Sequence, residues 1–265
     1  MAVYGLHMTE LEAFAIDLSR LAGQVALPFF RGQYTEENKA GPGDFDPVTE
    51  ADRAAEAAIR KEIALKYPHH GVIGEEYGED RPDAEHVWVL DPIDGTRAFI
   101  AGLPSWTTLI AHRHQNEAVI GTIGQPYLDE VFIGGPSGGF VRVRGETRPL
   151  KTRACAQLDQ ALIATTDADI FVGEDRAAWT RLRAASRLAR FGCDAYAYAM
   201  VAAGHIDLVA ETELKLWDWS ALKPVIEAAG GAFTDWHGKA PHDGRVLAVG
   251  DARLTDQALR VLNPA

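Results

Sequence analysis

The sequence has few cysteines, and its positive charges are outnumbered by its negative ones. Among 265 residues there are two cysteines, Cys155 and Cys193, which lie far apart. They exclude a cysteine-based zinc ribbon and fit a reducing compartment. Lys and Arg number 26 against 38 Asp and Glu, a net charge of −12. This balance does not suit a protein that binds nucleic acid or anionic lipid through bulk charge.

Long hydrophobic runs are also missing. The longest uncharged stretch, residues 98–111, has 14 residues and includes glycine, proline, serine and threonine. A membrane span needs about 20 apolar residues. The N-terminus shows no basic segment followed by an apolar one, as a secretion signal would. We therefore expect a cytoplasmic protein that binds neither membrane nor nucleic acid.

What is present is the composition of an ordinary globular protein, with 47% hydrophobic and 24% charged residues. At about 150 residues per domain, a chain of 265 residues falls between one large domain and two small ones. No internal repeat, low-complexity tract or long linker interrupts it. We expect a single domain over residues 1–265, with sub-lobes at approximately 1–150 and 151–265.

The spacing of the hydrophobic residues changes along the chain. Helical spacing follows a capping box that begins at Thr9, and it returns in a second helix over Thr49–Tyr67. Between them, Gln33–Phe45 is expected to form a loop. Strand-like runs at hairpin spacing occupy residues 72–144, and helices alternate with strands from residue 161 onward, ending in a helix over 218–229 and a late strand. This mixture favours layered α and β structure over a pure doubly wound sheet.

The most informative segment is Trp88–Thr96, in which an apolar run leads into Asp91 and Asp94 with a proline between them. Proline stiffens the turn, and Gly95 lets the backbone approach a ligand closely. A helix beginning at Thr96 would direct its free N–H groups toward both carboxylates. Carboxylates beside backbone amides suit a divalent cation that holds a phosphate, although aspartates at strand ends also serve as turn and cap residues.

Three further acidic segments accompany this one. Glu75 and Glu76 end another strand, Asp46, Thr49 and Asp52 lie at a helix entry, and Asp218 begins a helix between Trp217 and Trp219. Each of them alone is equally typical of a helix cap. Their combination carries more information than any single one.

Taken together, the strings Asp46–Asp52, Gly74–Glu76, Asp91–Thr96 and Trp217–Asp218 resemble, in order and spacing, the magnesium-dependent, lithium-sensitive inositol monophosphatase-like phosphatases. The resemblance spans roughly residues 10–255. It implies an α+β sandwich of alternating α/β/α/β/α layers. It also implies hydrolysis of a small phosphate ester with two or three Mg²⁺ ions per site, and a homodimer.

The resemblance assigns roles to individual residues. It implies one Mg²⁺ held by Glu75, Asp91 and the carbonyl of Ile93, and a second held by Asp91, Asp94 and Asp218. The catalytic residues would be Asp52, Thr96, Thr49 and Glu75, with Thr96 and Asp52 orienting a metal-bound water. The substrate would contact Gly95, Thr96, Arg97, Asp194 and Glu211, and the amides of Gly95 and Thr96 would hold phosphate oxygens.

The chemistry of phosphate esters agrees with these roles. The oxygens of a phosphomonoester repel an anionic nucleophile, and Mg²⁺ neutralises that charge, lowers the pKa of water and stabilises the leaving alkoxide. The motif set contains neither a cysteine nor a histidine nucleophile. We therefore expect direct in-line attack by water, without a phosphoenzyme.

Within the family, residues 94–104 and Phe191–Tyr198 look like the histidinol-phosphatase branch, which hydrolyses L-histidinol phosphate in histidine biosynthesis. That substrate carries an ammonium group and an imidazole, so Asp194 and Glu211 are the candidate anions of its pocket. Alternatively, Asp194 caps the following helix. The sequence also departs from the branch at Asp46, a position where the branch often has a small residue. Inositol phosphates, sugar bisphosphates and nucleotide phosphates are the rival substrates, and a catalytically idle binding protein is the non-enzymatic alternative.

Two other groups of residues have simpler interpretations. His112 and His114 share one face of a predicted strand, and His69 and His70 follow Pro68. A zinc site would need a third ligand, so solvated histidines are expected. The basic run over residues 142–153 is expected to be a solvated hairpin face.

Overall fold

The computed structural model describes residues 8–33, 35–38 and 47–264 of the chain. Its helices are α1 (Glu10–Ala26), α2 (Glu50–Lys66), α3 (Thr96–Ile100), α4 (Gly173–Ala185), α5 (Tyr196–Ala202), α6 (Leu216–Trp219), α7 (Leu222–Ala228) and α8 (Ala252–Leu262). Its strands are β1 (Glu36–Asn38), β2 (Pro47–Thr49), β3 (Gly71–Gly74), β4 (Gly78–Asp80), β5 (His86–Asp94), β6 (Thr107–His114), β7 (Glu117–Gln125), β8 (Glu130–Gly135), β9 (Gly138–Val143), β10 (Glu146–Pro149), β11 (Leu162–Ala164), β12 (Leu188–Arg190), β13 (Leu208–Glu211), β14 (Ala232–Thr234) and β15 (Val246–Val249).

The strands of the described residues form two large sheets and one small ribbon. The larger sheet has eight strands in the order β10-β9-β8-β7-β6-β5-β3-β4, and its neighbours are antiparallel except for the parallel pair β3 and β5. The smaller sheet has five strands in the order β12-β11-β13-β15-β14, of which the first three are parallel. Strands β1 and β2 pair separately as an antiparallel ribbon.

Strand β5 shows why the larger sheet carries helices on both faces. Val87 and Val89 point into one core cluster, and Trp88 and Leu90 point into another. Helices α1 and α2 cover the Trp88 face, and α5 and α7 cover the Val87 face. The continuous apolar run in the sequence is therefore that of a strand buried on both sides.

The smaller sheet completes the layers. Val209 and Ala248 pack into the same core as α5 and α7, while Leu208 and Leu247 pack against α4 and α8 on the opposite face. The layers follow one another as α1 with α2, the eight-stranded sheet, α5 with α7, the five-stranded sheet, and α4 with α8. The predicted α/β/α/β/α sandwich is confirmed.

The two long N-terminal helices begin where their sequences predict. The side chain of Thr9 accepts the backbone N–H of Glu12 at 3.2 Å, and the carboxylate of Glu12 accepts the N–H of Thr9 at 2.7 Å. Thr49 and Asp52 form the same capping box at α2. Both helix starts were therefore readable from four residues each.

The expectation of a loop over Gln33–Phe45 is wrong for residues 36–38, while Gln33 and Thr35 lie outside any helix or strand. Residues Glu36–Asn38 form β1 and pair with β2. Tyr34 and residues 39–46, which include Asp46, lie outside the described residues. Three polar residues in a strand carry no hydrophobic alternation, so only the partner strand makes them a strand.

The helix predicted over residues 218–229 is two helices, α6 and α7. Pro224 has no N–H to donate to the carbonyl of Ser220 four residues earlier. The backbone N–H and the hydroxyl of Ser220 both donate to the carbonyl of Leu216, at 3.1 and 2.6 Å, and close the first helix. The division leaves Asp218 in the short first helix.

Two further observations concern the chain as a whole. No helix in the described ranges is long and apolar enough to cross a membrane. The larger sheet takes its strands from residues 71–149, and the smaller one from residues 162–249. The sub-lobes 1–150 and 151–265 stay a prediction.

Candidate active site

The site is centred on the C-terminal end of β5. The ladder between β5 and β6 shifts its register between Asp91 and Asp94, so the two residues between these aspartates lie outside the regular pairing. Helix α3 begins immediately afterwards at Thr96, with Gly95 as its N-cap at a φ of +79°. The strand end and the helix start therefore meet as the sequence predicts.

Four carboxylates interact electrostatically at this strand end: Glu75, Asp91, Asp94 and Asp218. Burial, followed by the charge of Glu75, raises the pKa of Asp91 well above its usual value. Burial, followed by the charge of Asp194, does the same for the pKa of Asp94. Burial also raises the pKa of Asp218 to about 7. Like charges in a buried cluster are unfavourable unless a cation compensates them.

One atom of Asp91 indicates what kind of cation the cluster would hold. Its Oδ1 is buried and has no hydrogen-bond partner among the described residues. A buried acceptor without a partner is costly, so a ligand at this position would stabilise the protein. Several carboxylate oxygens around one point are the donor set that Mg²⁺ prefers. The residues present therefore fit the divalent cations that the sequence suggests.

The carboxylate of Asp94 is oriented by two groups from distant parts of the chain. Its Oδ2 accepts the backbone N–H of Ala195 at 2.7 Å and the hydroxyl of Thr107 at 3.3 Å. Ala195 lies 101 residues further along the chain. Both hydrogen bonds end on the same oxygen, so they fix the carboxylate without using its second oxygen.

Asp52, Thr49 and Thr96 form a hydrogen-bonded group next to the carboxylate cluster. The Oδ2 of Asp52 accepts the backbone N–H and the hydroxyl of Thr49 at 2.8 and 2.5 Å. Its Oδ1 lies 3.4 Å from the hydroxyl of Thr96, which also lies 3.1 Å from the carbonyl of Ile93. Burial raises the pKa of Asp52 to about 6. One hydroxyl thus connects the end of β5 to the start of α2.

Glu75 stands in a tight turn that a buried glutamate organises. Glu56 is 0% exposed, and its carboxylate accepts two successive backbone N–H groups of the turn at 2.8 and 3.2 Å. Arg60 pairs with the same carboxylate at 2.7 Å. A Cβ at Gly74 would lie 2.1 Å from Glu56 Oε1, so the strand can approach Glu56 this closely only with glycine there.

A pocket of about 300 Å³ opens beside the carboxylates. The predicted substrate residues all line it, together with two predicted metal ligands: Gly95, Thr96, Arg97, Asp194, Glu211, Asp94 and Asp218. Among the described residues of its lining, five carry a carboxylate and one carries a guanidinium. The pocket is therefore strongly acidic.

Asp194 closes one side of this pocket against Gly95. A Cβ at Gly95 would lie 2.9 Å from the carboxylate of Asp194, and the positive φ of Gly95 also disfavours any side chain. Burial, followed by the charge of Glu211, raises the pKa of Asp194 to about 7, while Arg97 acts in the opposite direction. Within the described residues, no side chain caps α5. The alternative interpretation of Asp194 as a helix cap is therefore wrong.

Glu211 lies deeper in the same wall. It is 3% exposed, and its two oxygens accept the backbone N–H of Thr166 at 2.7 Å and the hydroxyl of Tyr198 at 2.8 Å. Burial raises the pKa of Glu211. With both oxygens engaged, Glu211 acts on the pocket mainly through its negative potential.

The structure brings every predicted site residue to this one region, and their individual roles stay predictions. Sequence reasoning missed the residues that position them: Glu56, Thr107, Thr166 and Tyr198. Only Glu56 left a signal. It lies four residues after Asp52 on the buried face of α2, where a glutamate is unusual.

The histidines of β6 do not lie in the site, and one of them contradicts the expectation of solvated side chains. His112 is 1% exposed, and burial lowers its pKa to about 3. The basic run is also not uniformly solvated, since Arg153 makes two hydrogen bonds of 2.6 and 2.5 Å to the buried Asp207.

Comparison with known proteins agrees with this geometry. The sequence profile of the inositol monophosphatase family matches residues 7–263. The chain is 40% identical to the bifunctional phosphatase IMPL2, chloroplastic, of Arabidopsis thaliana over 96% of this chain and 76% of that protein. It is 34% identical to the histidinol-phosphatase of Mycobacterium tuberculosis, covering 83% and 86%. It is 32% identical to the inositol-1-monophosphatase of Rhizobium meliloti, covering 81% and 80%.

The fold is also found in solved structures. An inositol monophosphatase from Zymomonas mobilis superimposes with a TM-score of 0.85 at 38% identity, over 99% of both chains. The Thermotoga maritima IMPase superimposes with a TM-score of 0.83 at 26% identity, over 96% of this chain and 97% of that one.

Proposed function

Because the chain belongs to the inositol monophosphatase family of metal-dependent phosphatases, we propose that it is a Mg²⁺-dependent histidinol-phosphatase. It would hydrolyse L-histidinol phosphate to L-histidinol and phosphate. Relatives named histidinol-phosphatase, at 31% to 36% identity, support this choice, and relatives named inositol-1-monophosphatase, at 32% and 33%, support the alternative.

The observation that carries the proposal is the charge of the pocket beyond the metal ligands. Asp194 and Glu211 both line it, and the charge of Glu211 raises the pKa of Asp194. A cationic substrate group between them would relieve this repulsion, as an ammonium or imidazolium would. An inositol ring offers hydroxyl groups and no positive charge. The pocket therefore favours the amino alcohol.

In this proposal Glu75, Asp91, Asp94, Asp218 and the carbonyl of Ile93 hold Mg²⁺. When bound, Mg²⁺ supplies positive charge that offsets the phosphate oxygens and makes water more acidic. The N–H groups of Gly95 and Thr96 contact the phosphate, and Arg97 adds a cation at the same end of the pocket.

The proton of the attacking water has an acceptor within the protein. The hydroxyl of Thr96 lies 3.4 Å from Asp52 Oδ1, and the other oxygen of Asp52 is held by Thr49. With its pKa raised to about 6 by burial, Asp52 is mostly ionised at neutral pH. It can accept a proton that passes through the Thr96 hydroxyl.

A substrate comparison tests the proposal. We expect kcat/KM at saturating Mg²⁺ to be at least about a hundredfold higher for L-histidinol phosphate than for inositol 1-phosphate, a difference of about 2.7 kcal/mol. Asp194→Asn should lower kcat/KM for histidinol phosphate about tenfold or more, and change that for inositol 1-phosphate by less than about threefold.

Asp159→Asn, a change at an exposed aspartate outside the pocket, is the matched control and should leave both values unchanged. A flat or reversed ratio would overturn the histidinol assignment and leave the phosphatase. Equal losses on both substrates in Asp194→Asn would show that Asp194 acts on the site as a whole and does not recognise the cationic group.

A further inference from the structure

A second cluster of potential ligands lies at the opposite end of the strand that carries the active-site aspartates. Strand β5 begins at His86 and ends at Asp94, and His86 pairs directly with His114 at the end of β6. The eight steps from His86 to Asp94 correspond to roughly 26 Å at about 3.3 Å per residue. The two clusters are therefore separate sites on one strand.

The side chains at this end are arranged in a column of stacked rings. The rings of Tyr67 and His70 are 4.6 Å apart, those of His70 and His86 are 4.8 Å apart, and those of His86 and His114 are 4.7 Å apart. The stacking limits how each imidazole can rotate. Ligand atoms on such rings are positioned before any ion arrives.

Glu85, the residue immediately before β5, lies beside this column of rings. Its Oε1 lies 3.1 Å from Nε2 of His114. One potential ligand atom from each of Glu85, His86 and His114 lies within 4.8 Å of the other two. His114 is one of the two histidines that share a strand face in the sequence, and the fold places the imidazole of His86 and the carboxylate of Glu85 beside it. These are the three protein ligands of an open zinc site.

We propose that Glu85, His86 and His114 form a second metal site, distinct from the carboxylate cluster, which binds Zn²⁺ or a similar transition-metal ion. Two imidazole nitrogens and one carboxylate oxygen suit Zn²⁺ and are poor ligands for Mg²⁺, which prefers oxygen. Three protein ligands leave a fourth position for water.

A buried neighbour supports His86 in this role. The Nδ1 of His86 lies 3.2 Å from Nε2 of His112, which is 1% exposed and lies against Trp88. Histidines that bind metals usually donate their second N–H to such a partner, which sets the tautomer and the orientation of the ring. With Nδ1 of His86 directed at His112, Nε2 of His86 is the nitrogen left to bind an ion.

A bound ion would cross-link two neighbouring strands of the larger sheet. His86 and His114 are direct partners in the β5–β6 ladder, so one ion would link both strands at the end of β5 opposite the catalytic pocket. Binding that occurs only in the folded state raises the thermal midpoint, and the rise grows with the logarithm of the free ion concentration once that concentration exceeds Kd. The role of the ion would be structural.

The test is a Zn²⁺ titration of the full chain, measured by isothermal titration calorimetry. Saturating Mg²⁺ is present so that the carboxylate cluster is occupied. We expect one Zn²⁺ per chain to bind to the wild type and to Asp94→Asn. That binding should be lost in His114→Ala and weakened about tenfold or more in Glu85→Gln. His237→Ala, which removes an exposed histidine far along the sequence, is the matched control and should bind like the wild type.

A second measurement distinguishes loss of the Zn²⁺ site from a general loss of structure in the variant. Zn²⁺ should raise the thermal midpoint of the wild type and of His237→Ala but not that of His114→Ala, while all three should melt alike without Zn²⁺. Phosphate release with Mg²⁺ should be the same in all three. Equal Zn²⁺ binding by wild type and His114→Ala, or loss of binding in Asp94→Asn alone, would overturn the proposal.

Discussion

The two ends of β5 carry clusters of opposite character. At the C-terminal end, Asp91 and Asp94 are buried, and burial together with neighbouring negative charges raises the pKa of both. At the N-terminal end, His86 and His114 are partly exposed and stacked. One strand thus presents hard oxygen donors at one end and imidazoles at the other.

The difference shows how burial and donor type together decide what a cluster can do. Buried carboxylates repel one another and gain most from a cation, so that end suits a doubly charged ion. Imidazoles near the surface keep contact with water and cost little without an ion, so the other end is stable in either state.

The largest effect, a loss of catalytic activity, is expected when the carboxylate cluster alone is altered. Asp94→Asn removes one charge from the cluster and keeps the shape of the side chain and its contacts with Ala195 and Thr107. We expect kcat/KM to fall at least about 10³-fold, or about 4 kcal/mol in activation free energy. The measurement is phosphate release at saturating Mg²⁺.

The exposed Asp17 on α1 supplies the matched control, because Asp17→Asn changes the same charge away from the site. The far-ultraviolet circular dichroism of both variants should match that of the wild type. Near-normal activity of Asp94→Asn would contradict the assignment of Asp94 as a metal ligand.

A smaller effect is expected from the residue that positions the turn of Glu75. In Glu56→Gln, one acceptor oxygen becomes an NH₂ donor that faces a backbone N–H or Arg60, so the turn must shift. We expect the Mg²⁺ concentration for half-maximal activity to rise about tenfold and kcat to change less. A purely structural role would lower stability without moving the Mg²⁺ dependence.

Glu62→Gln, at an exposed position on the same helix, is the matched control. It should leave both the Mg²⁺ dependence and the thermal midpoint unchanged. An unaltered Mg²⁺ requirement in Glu56→Gln would show that the turn does not depend on Glu56.

The smallest effect concerns pH, and the two ends should respond with opposite sign. Burial raises the pKa of Asp52 to about 6 and that of Asp218 to about 7, so in the metal-free protein their contribution to stability is lost as the pH rises from about 4 through 7. Burial lowers the pKa of His112 to about 3, so its contribution is lost as the pH falls below about 6.5.

His112→Phe isolates the second response because phenylalanine does not titrate. Between pH 7 and pH 5, we expect the free energy of unfolding of the metal-free wild type to fall by about 1–2 kcal/mol relative to this variant. Urea unfolding at the two pH values measures it. Parallel pH dependences would mean that His112 is not held in its neutral form.

Much of the fold was predictable because its signals are local. The capping boxes at Thr9 and Thr49 need only residues three apart, and the run Trp88–Leu90 marks a doubly buried strand. Helix α8 had such a signal as well, with Leu254, Ala258 and Leu262 four apart and buried, and it was not predicted.

Other features could not be predicted because they depend on contacts between distant residues. Strand β1 has no alternation of its own and exists through its pairing with β2. The N–H of Ala195, directly before α5, reaches Asp94, and the hydroxyl of Tyr198 on α5 reaches Glu211. No spacing in the sequence indicates these contacts between layers.

The candidate metal-binding side chains and the order of the acidic segments can be read from the sequence, because residue type and spacing near a strand end are local properties. Which of these groups come together depends on the folded chain. It brings the N–H of Ala195 to Asp94 across 101 residues, and it sets Glu85 and His86 beside His114 through the register of β5 and β6. The physical reason is that strand pairing and layer packing place residues by register and burial, which short-range sequence patterns do not encode.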